Sequence, residues 1–360
     1  MNKILLSITL FLFLFSCNKN SDQLPVLSHE LQVMSESVNP TQKFSIKPNI
    51  DTVLTGKQET HLFISANSFE YENGIEVSSE VTLTLKEVYS FSEMILNGLS
   101  TTTVDGGLLQ TSGMIRVLAF ANGEKLRLKE GSPIKIRFKK TVESPFMRTY
   151  LGVEDSTAIK WRLDKNNVFD TVKITWEKRP STDLIYSDTT EYSENYGIIW
   201  QDTIELNQNV EPLNEDIFIN TSLNFQDDIS QDYTVEDSVA NLIYYELHAT
   251  QLNWINCDFF IGKDNLINTT VELPSKGIAY LVFKNYNAIM TSINHGVRKE
   301  FFNIPRGSEV TVLSILEDNG NYSIGTKHQI LNSSDKIMNF KFESVSKEEL
   351  TERIVELNDK

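Results

Sequence analysis

Residues Ile134-Lys135-Ile136-Arg137-Phe138-Lys139 alternate apolar and basic side chains with a period of two. The stretches Val81-Thr82-Leu83-Thr84-Leu85-Lys86 and Leu126-Arg127-Leu128-Lys129 repeat this alternation. Because successive side chains of a strand point to opposite faces, the pattern predicts strands with one face on a core and the other in water, as in antiparallel sheets. Asn73-Gly74 and Asn122-Gly123 lie between such stretches and favour hairpin turns, since Asn-Gly tolerates positive φ angles.

Strand signals return in the last third of the chain. Asp318-Asn319-Gly320-Asn321 is a hairpin turn signal there. Residues 242–247 suit a strand or a helix. Further strands are predicted at 271–273, 278–283, 310–316 and 338–342.

Two short helices are predicted. Ser346-Lys347-Glu348-Glu349 fits a capping box, in which Ser and Glu satisfy backbone N–H groups at the start of a helix. Residues 92–99 predict another helix, which Ser92 caps and Gly98 ends.

These patterns predict an all-β protein with two β-sandwich-like domains, a loop-rich middle and a short C-terminal helix. The predicted segments are a signal peptide at 1–16, a flexible tether at 17–40, a β-sandwich at 41–142, a loop-rich connecting region with short strands at 143–235, a β domain at 236–345 and a helix at 346–360.

The amino terminus carries the clearest functional signal. Met1-Asn2-Lys3 is followed by an apolar run over residues 4–15, which is too short for a helix of about 20 residues that spans a membrane. Leu14-Phe15-Ser16-Cys17 resembles the lipobox of bacterial lipoproteins. The resemblance implies cleavage before Cys17 and a diacylglycerol on its thiol. The alternative is an ordinary signal peptide with an accidental cysteine.

Charge and cysteine content exclude several classes of protein. The net charge of −16 argues against nucleic acid as a partner, because a polyanion repels phosphates. We expect the acid excess to be spread along the chain as a solubilising surface. If Cys17 is acylated, Cys257 is the single remaining cysteine, so a disulfide scaffold is excluded.

Residues 44–140 carry a pattern of small and apolar residues that includes Leu62-Phe63-Ile64-Ser65-Ala66-Asn67 and Leu108-Leu109-Gln110-Thr111-Ser112-Gly113-Met114. It resembles the ZU-five-like β-sandwich domain of bacteroidete lipoproteins. Trp254-Ile255-Asn256-Cys257-Asp258-Phe259 resembles a second block of the same proteins. The resemblance implies a β-sandwich fold and, by analogy, a protein-binding scaffold.

Cys257 is the candidate nucleophile, with Asp258 beside it and His248 and His295 elsewhere in the chain. A cysteine enzyme needs a histidine to form the thiolate. The apolar neighbours of Cys257 instead favour a buried structural residue, so we predict that Cys257 is buried and unreactive.

Metal and cofactor sites are not predicted. The five histidines show no ligand spacing, and Asp227, Asp228 and Asp232 lack the glycine and terminal glutamate of a calcium loop. The aromatic residues of the middle region either plug an interface between the two β domains, which we favour for the tryptophans, or contact sugars or a protein. They are Trp161, Trp176, Trp200, Tyr192 and Tyr196.

Six Asp-Ser or Asp-Thr pairs, each followed by Val, Ile or Thr, resemble the acceptor motif of bacteroidete O-glycosylation. The alternative is that Asp-Thr-Val starts strands by turn and β-branch propensity. The candidate acceptors are Thr52, Ser156, Thr171, Thr189, Thr203 and Ser238.

Together these features predict a lipid-anchored, non-enzymatic protein of the cell envelope, at the outer membrane, with a binding or scaffolding role and no cofactor. Its partners are the membrane, through the lipid, and a protein or a glycan. The predicted location is compatible with the periplasmic face of the outer membrane and with the cell surface. The alternatives are a hydrolase or peptidase with a site near Asp258, or a glycan-binding adhesin.

Overall fold

A computed structural model describes residues 26–144, 146–154, 159–165, 173–178, 196–201, 244–262, 264–275, 277–334, 336–337 and 339–358. Among these residues, no helix has the length and apolar character needed to cross a bilayer.

Helices of the described chain are α1 (Val26–Val38), α2 (Phe91–Leu96) and α3 (Lys347–Val355), with 3₁₀ turns at Lys284–Tyr286 and Glu356–Asn358. The strands up to residue 201 are β1 (Gln42–Ile46), β2 (Thr52–Thr55), β3 (His61–Ile64), β4 (Phe69–Tyr71), β5 (Val81–Val88), β6 (Leu99–Thr103), β7 (Leu109–Ala121), β8 (Glu124–Leu128), β9 (Ile134–Lys139), β10 (Arg148–Glu154), β11 (Ile159–Leu163), β12 (Lys173–Lys178) and β13 (Tyr196–Gln201). The later strands are β14 (Tyr244–Ala249), β15 (Asn253–Phe260), β16 (Leu266–Glu272), β17 (Gly277–Phe283), β18 (Ala288–Thr291), β19 (Ile293–His295), β20 (Arg298–Pro305), β21 (Ser308–Asp318), β22 (Asn321–Leu331), β23 (Lys336–Ile337) and β24 (Glu343–Val345).

The fold class is all-β, as predicted. The first outer sheet has the order β14-β9-β3-β2, and the first inner sheet has the order β1-β5-β7-β15-β10-β11-β6, with β8 on β7 and β4 on β8. The second inner sheet is β18-β17-β21-β22-β24, and the second outer sheet is β19-β20-β16-β23. Strands β12 and β13 form a separate antiparallel pair. Strand pairs are antiparallel except β6 with β11 and β16 with β23.

Three apolar cores join these four sheets in succession. The first core lies between the first outer and first inner sheets and includes Phe138 and Leu83. The second core lies between the two inner sheets and contains Trp161 and Leu313, together with side chains of all three helices. The third core lies between the second inner and second outer sheets and includes Phe283. The described sheets therefore form a stack in which each inner sheet contributes to two cores.

The inner sheets explain why some strands are continuous apolar runs. In β17, Tyr280 and Val282 belong to the second core, whereas Leu281 and Phe283 belong to the third. A strand that buries both faces loses the apolar–polar alternation of a half-exposed strand.

The division into domains differs from the predicted one. Strand β14 pairs with β9, and β15 pairs with β7 and β10. Both strands were assigned to the domain at 236–345, yet they complete the first pair of sheets. In the structure the second pair of sheets begins at β16.

Most predicted strands are confirmed, and the ambiguous residues 242–247 fall largely in strand β14. The hairpin turns are confirmed at Asn122-Gly123 and Asn319-Gly320, where all four residues have positive φ angles. The strand predicted at 338–342 is wrong, because residues 339–342 form no strand and β24 begins at Glu343.

The predicted flexible tether contains a packed helix, which corrects the segment 17–40. Helix α1 buries Leu31 and Met34 in the second core. The Nζ atom of the buried Lys86 lies 3.0 Å from Glu36 Oε1, and Asn39 Nδ2 donates to Glu93 Oε1 at 2.8 Å. Apolar burial and these polar contacts hold α1 on strand β5 and helix α2.

Helix caps were predicted with mixed success. The capping box of Ser346 and Glu349 is present at the start of α3. Helix α2, however, is capped by Ser90 rather than Ser92, and Glu93 completes its capping box. The predicted helix starts two residues too late, because Ser90 and Ser92 are both serines and either hydroxyl could cap a helix.

Trp161 is fully buried in the second core and donates from Nε1 to the carbonyl of Ser100. The prediction that this tryptophan plugs an interface between β layers is confirmed. The side chains of Trp176, Trp200, Tyr192 and Tyr196 lie outside the described part of the chain.

We predict that Leu31→Ala lowers the free energy of unfolding by about 2–5 kcal/mol, because it leaves a cavity in a packed core. Leu31 is 1% exposed, whereas Val33 of the same helix is 48% exposed. Val33→Ala is therefore the matched control and should change stability by less than about 0.5 kcal/mol. Denaturant unfolding of both variants measures the difference. Equal, small effects would show that α1 is not part of the cooperative fold.

Candidate functional site

A buried polar cluster interrupts the apolar interior between the two inner sheets. Asn256 and Asp258 lie two residues apart on β15 and therefore share a face of the strand. Both residues are fully buried, as is Thr111 on the neighbouring strand β7. The cluster therefore consists of a hydroxyl, a primary amide and a carboxyl group that are shielded from solvent.

A bulge places Thr111 in this cluster. Cys257 pairs with Gly113 and Asp258 pairs with Thr111, so Ser112 is the extra residue on β7. Its hydroxyl accepts from Thr141 N at 3.0 Å. The bulge brings Thr111 opposite Asp258, on the face that points toward the second inner sheet.

Hydrogen bonds connect the three side chains in series. Thr111 Oγ1 donates to Asn256 Oδ1 at 3.0 Å, and Asn256 Nδ2 donates to Asp258 Oδ2. Gly113 N donates to Thr111 Oγ1 at 3.0 Å. Asp258 Oδ1 is buried and has no hydrogen-bond partner.

Asn287 holds the cluster from the second inner sheet. It follows the 3₁₀ turn at Lys284–Tyr286 with a φ of 45°. Its Nδ2 atom donates to Thr111 O at 2.7 Å, and Thr111 N donates to Asn287 O at 3.2 Å. The cluster is therefore a polar joint between the two inner sheets.

Burial raises the pKa of Asp258 well above its ordinary value, and the neighbouring Thr111 and Asn256 side chains oppose this shift to a smaller extent. Arg148 and Tyr150 lie on the adjacent strand β10, where Arg148 pairs with Asp258 and Tyr150 with Asn256. Burial lowers the pKa of Arg148 and raises that of Tyr150. A neutral Asp258 can both donate and accept a proton.

Cys257 lies on the opposite face of β15, in the first core. It is fully buried, which confirms the predicted burial. Burial raises the pKa of its thiol well above the ordinary value. Because neighbouring residues of a strand face opposite ways, Cys257 and Asp258 do not converge on one site.

Most predicted acceptors of O-glycosylation lie outside the described residues, as does Cys17. Thr52 is described, at the start of the edge strand β2, and its hydroxyl donates to Ile50 O at 3.1 Å. Asp51 Oδ1 accepts from Ala66 N at 2.7 Å. The pair therefore starts a strand here, and modification of Thr52 stays a prediction. The acceptors outside the described part are Ser156, Thr171, Thr189, Thr203 and Ser238.

Two of the described histidines, His61 and His328, have hydrogen-bond contacts with neighbouring side chains. His61 Nδ1 lies 3.0 Å from Thr55 Oγ1, and His61 Nε2 lies 3.1 Å from the hydroxyl oxygen of Tyr244. His328 Nδ1 lies 2.9 Å from Thr311 Oγ1. The described residues contain no group of three or more His, Cys, Asp or Glu side chains that could hold a metal ion. Asp227, Asp228 and Asp232 fall outside them.

Phe63 on the first outer sheet is a partly buried aromatic side chain outside the group that was predicted to contact sugars. The Lys135 ammonium lies 4.4 Å and the Arg137 guanidinium 4.9 Å from the centre of its ring. Arg137 also pairs with Glu246 at 2.6 Å. Cation–π contacts with side chains of the same chain therefore cover the face of the Phe63 ring. A shallow depression beside the ring is lined by Phe63, Lys135 and His248.

Comparisons of the chain with protein-family models, with curated proteins and with solved structures found no match. The resemblance to ZU-five-like domains stays a prediction.

Sequence reasoning singled out Asp258 but missed Asn256 and Thr111 as its partners. The available signal was the pair of polar residues, Asn256 and Asp258, at alternate positions in an apolar run. Thr111 gave no local signal, because its place in the cluster depends on strand pairing and on the bulge at Ser112.

We predict that Asp258 makes stability fall as pH rises. Its folded-state pKa is raised above its unfolded-state pKa, so its contribution is fully present below the unfolded value of about 3.9. Between the two values the unfolded chain loses the proton first, and stability falls by up to about 1.4 kcal/mol per pH unit. Asp258→Asn should remove this slope, as measured by denaturant unfolding across pH.

The exposed Asp105 provides the control for this measurement. Asp105→Asn should leave the slope as it is in the unaltered protein. An identical slope in the Asp258→Asn variant would show that Asp258 does not titrate differently in the folded and unfolded states.

We also predict that the Cys257 thiol reacts slowly in the native protein and rapidly in denaturant, because a buried thiol with a raised pKa forms little thiolate. A Cys17→Ser background leaves Cys257 as the single thiol for labelling. Cys257→Ser should lower stability by about 1–3 kcal/mol if its hydroxyl finds no partner. Fast native labelling at neutral pH would contradict the burial and reopen a catalytic role.

Proposed function

We propose that this protein is a lipid-anchored, non-enzymatic protein of the cell envelope, held at the outer membrane, with a binding or scaffolding role. The observation that carries the proposal is the short apolar run before Ser16-Cys17. Such a run suits export but is too short to span a bilayer. Acylation of Cys17 would then provide the attachment to the membrane.

The position of α1 supports a short connection between lipid and fold. The helix begins at Val26, so eight residues separate it from Cys17. Even fully extended, this stretch spans at most about 30 Å. A lipid on Cys17 would therefore keep the folded protein close to the bilayer.

Contacts between the chain ends indicate which part of the protein would lie nearest the anchor. Lys347 of α3 pairs with Glu30 of α1 at 2.6 Å. Ser92 N donates to Asn358 Oδ1 at 3.1 Å, which ties the C-terminal turn to α2. The side of the fold that carries α1, α2 and α3 would thus face the membrane.

The environments of Cys257 and Asp258 support a non-enzymatic role. Both residues are fully buried and lie on opposite faces of β15. A hydrolase site requires its nucleophile and acid–base group to converge where substrate can enter. A scaffold requires only a stable fold, which the three cores provide.

We predict that Cys17→Ala abolishes incorporation of labelled palmitate in the native host and releases the protein from the membrane fraction or leaves its precursor uncleaved. Cys257→Ala is the matched control and should keep the label, because its thiol lies in the first core. Labelling of Cys17→Ala equal to that of the unaltered protein would refute the anchor.

The scaffolding role needs a separate test. Cross-linking of intact cells should join the unaltered protein to an envelope partner, and the adduct should be lost when Cys17→Ala displaces the protein. An unlinked protein at every cross-linker length would argue against a scaffold while leaving the lipid anchor standing.

A further inference from the structure

The cluster of Thr111, Asn256 and Asp258 combines three groups that can react with one another. A hydroxyl is a nucleophile, a primary amide is an acyl donor, and a neutral carboxyl group can move protons between them. All three side chains are fully buried and lie within one hydrogen-bonded series. The packing of the inner sheets therefore holds the reacting groups together in the absence of bulk water.

We propose that Thr111 and Asn256 form an intramolecular ester that links β7 to β15. Thr111 Oγ1 attacks the side-chain carbonyl carbon of Asn256, and a C–O bond forms. The bond from that carbon to Nδ2 breaks, and the nitrogen leaves as ammonia. The hydroxyl proton passes to Asp258, which gives one proton to the departing nitrogen and ends unchanged. No oxidant, reductant or co-reactant is consumed.

Thr111 is placed as the nucleophile. Its Oγ1 atom lies 3.0 Å from Asn256 Oδ1, so the hydroxyl and the amide are already in contact. Reacting groups held in contact gain much of the advantage of an intramolecular reaction. For attack, the hydroxyl hydrogen turns from the amide oxygen toward Asp258, which lies directly opposite Thr111 in the strand register.

Asp258 is positioned to carry the proton from Thr111 to the leaving nitrogen, because its two carboxyl oxygens have different surroundings. Oδ1 is buried without a hydrogen-bond partner and is available to accept the Thr111 proton. Oδ2 contacts Asn256 Nδ2, the atom that must be protonated to leave. Once the attack of Thr111 has made the amide carbon tetrahedral, the lone pair of that nitrogen is free to accept the proton that Oδ2 carries. Burial favours the neutral form of the carboxyl group by raising its pKa, and in that form one oxygen can accept a proton while the other donates one.

Burial also favours survival of the product. An ester is lost by hydrolysis, which requires water at its carbonyl carbon, and Thr111, Asn256 and Asp258 are each 0% exposed. Asn287, which precedes β18 of the second inner sheet, donates to the backbone carbonyl of Thr111 beside the cluster. Ammonia, once released, is diluted into the solvent, which makes the reverse reaction slow.

The link would strengthen the centre of the fold. Thr111 and Asn256 are 145 residues apart in sequence. They belong to β7 and β15, which are neighbours in the middle of the first inner sheet. A covalent bond there would act as a disulfide does, by closing a long loop in the unfolded chain. Among the described residues, Cys257 is the single cysteine, so the described part of the chain has no disulfide for that purpose.

The mass of the protein tests the proposal directly. The protein, purified under native conditions and then denatured, should weigh one ammonia molecule less than the sum of its processed sequence and its lipid. Protease digestion should yield one joined species that contains Thr111 and Asn256, and hydroxylamine should separate it, because hydroxylamine cleaves esters. A mass equal to that sum would overturn the proposal. A mass raised by conversion of Asn256 to aspartate would show hydrolysis instead and would also overturn it.

Variants assign the roles. Thr111→Val and Asp258→Asn should each restore the full mass, the first by removing the nucleophile and the second by removing the proton carrier. Thr101→Val is the matched control, because Thr101 is a fully buried threonine whose hydroxyl donates to a backbone carbonyl, Ile289 O, at 3.1 Å. It should keep the lowered mass. If a variant does not fold, the mass of the unaltered protein still decides whether the ester forms. A lowered mass in folded Thr111→Val would refute the assignment of Thr111 as the nucleophile.

Discussion

Burial of the two inner sheets on both faces is the constraint on which the rest of the structure depends. Strand β15 contributes Ile255 and Cys257 to the first core and Trp254 to the second, and β17 contributes to the second and third cores in the same way. The edge of an inner sheet and its loops can reach solvent, but the middle of β15 cannot. Every polar group placed there must find a partner within the protein or change its protonation state.

Two buried acidic groups show the two outcomes. Glu87 is fully buried at the end of β5, but its carboxylate accepts hydrogen bonds from Gln42 Nε2 at 2.7 Å, Gln58 N at 2.9 Å and Thr60 N at 3.0 Å. Asp258 has one occupied oxygen and one without a partner. Since an unsatisfied buried polar group is costly, the first arrangement is explained by structure alone. The second leaves Asp258 Oδ1 without a partner, and this is the atom that accepts the proton in the proposed ester chemistry.

Local patterns predicted what local forces determine. The strands β5, β8 and β9 alternate because each has one face on the first core, and Ser346 with Glu349 caps α3 through backbone groups three residues away. The stacking of four sheets was not predictable in this way, since β14 and β15 pair with strands more than 100 residues earlier. Helix α1 was likewise missed, because Leu31 and Met34 stabilise it only through the second core.

The residues of the candidate cluster also differ in whether local sequence predicts them. Asn256 and Asp258 are recognisable as polar residues in an apolar run. Asp258 was singled out from sequence as the neighbour of Cys257, and Asn256 was not. Thr111 was not, because an ordinary register without the extra residue Ser112 would have changed which β7 side chain faces Asp258. Bulges depend on the pairing of two strands, and neither strand reveals one by itself.

The charge of the chain is distributed differently from our expectation, and this bears on how the sheets can stack. Residues 180–243 contain fourteen acidic residues and no lysine, arginine or histidine, which accounts for all but two units of the net charge of −16. The expectation of an evenly spread acid excess is therefore wrong. Because charges of one sign repel within a compact body, four closely packed sheets are easier to maintain when the remaining chain is nearly balanced. The acidic excess thus falls in a segment between β11 and β14, while Lys86, Arg137 and Lys347 in the sheets and helices each pair with a carboxylate.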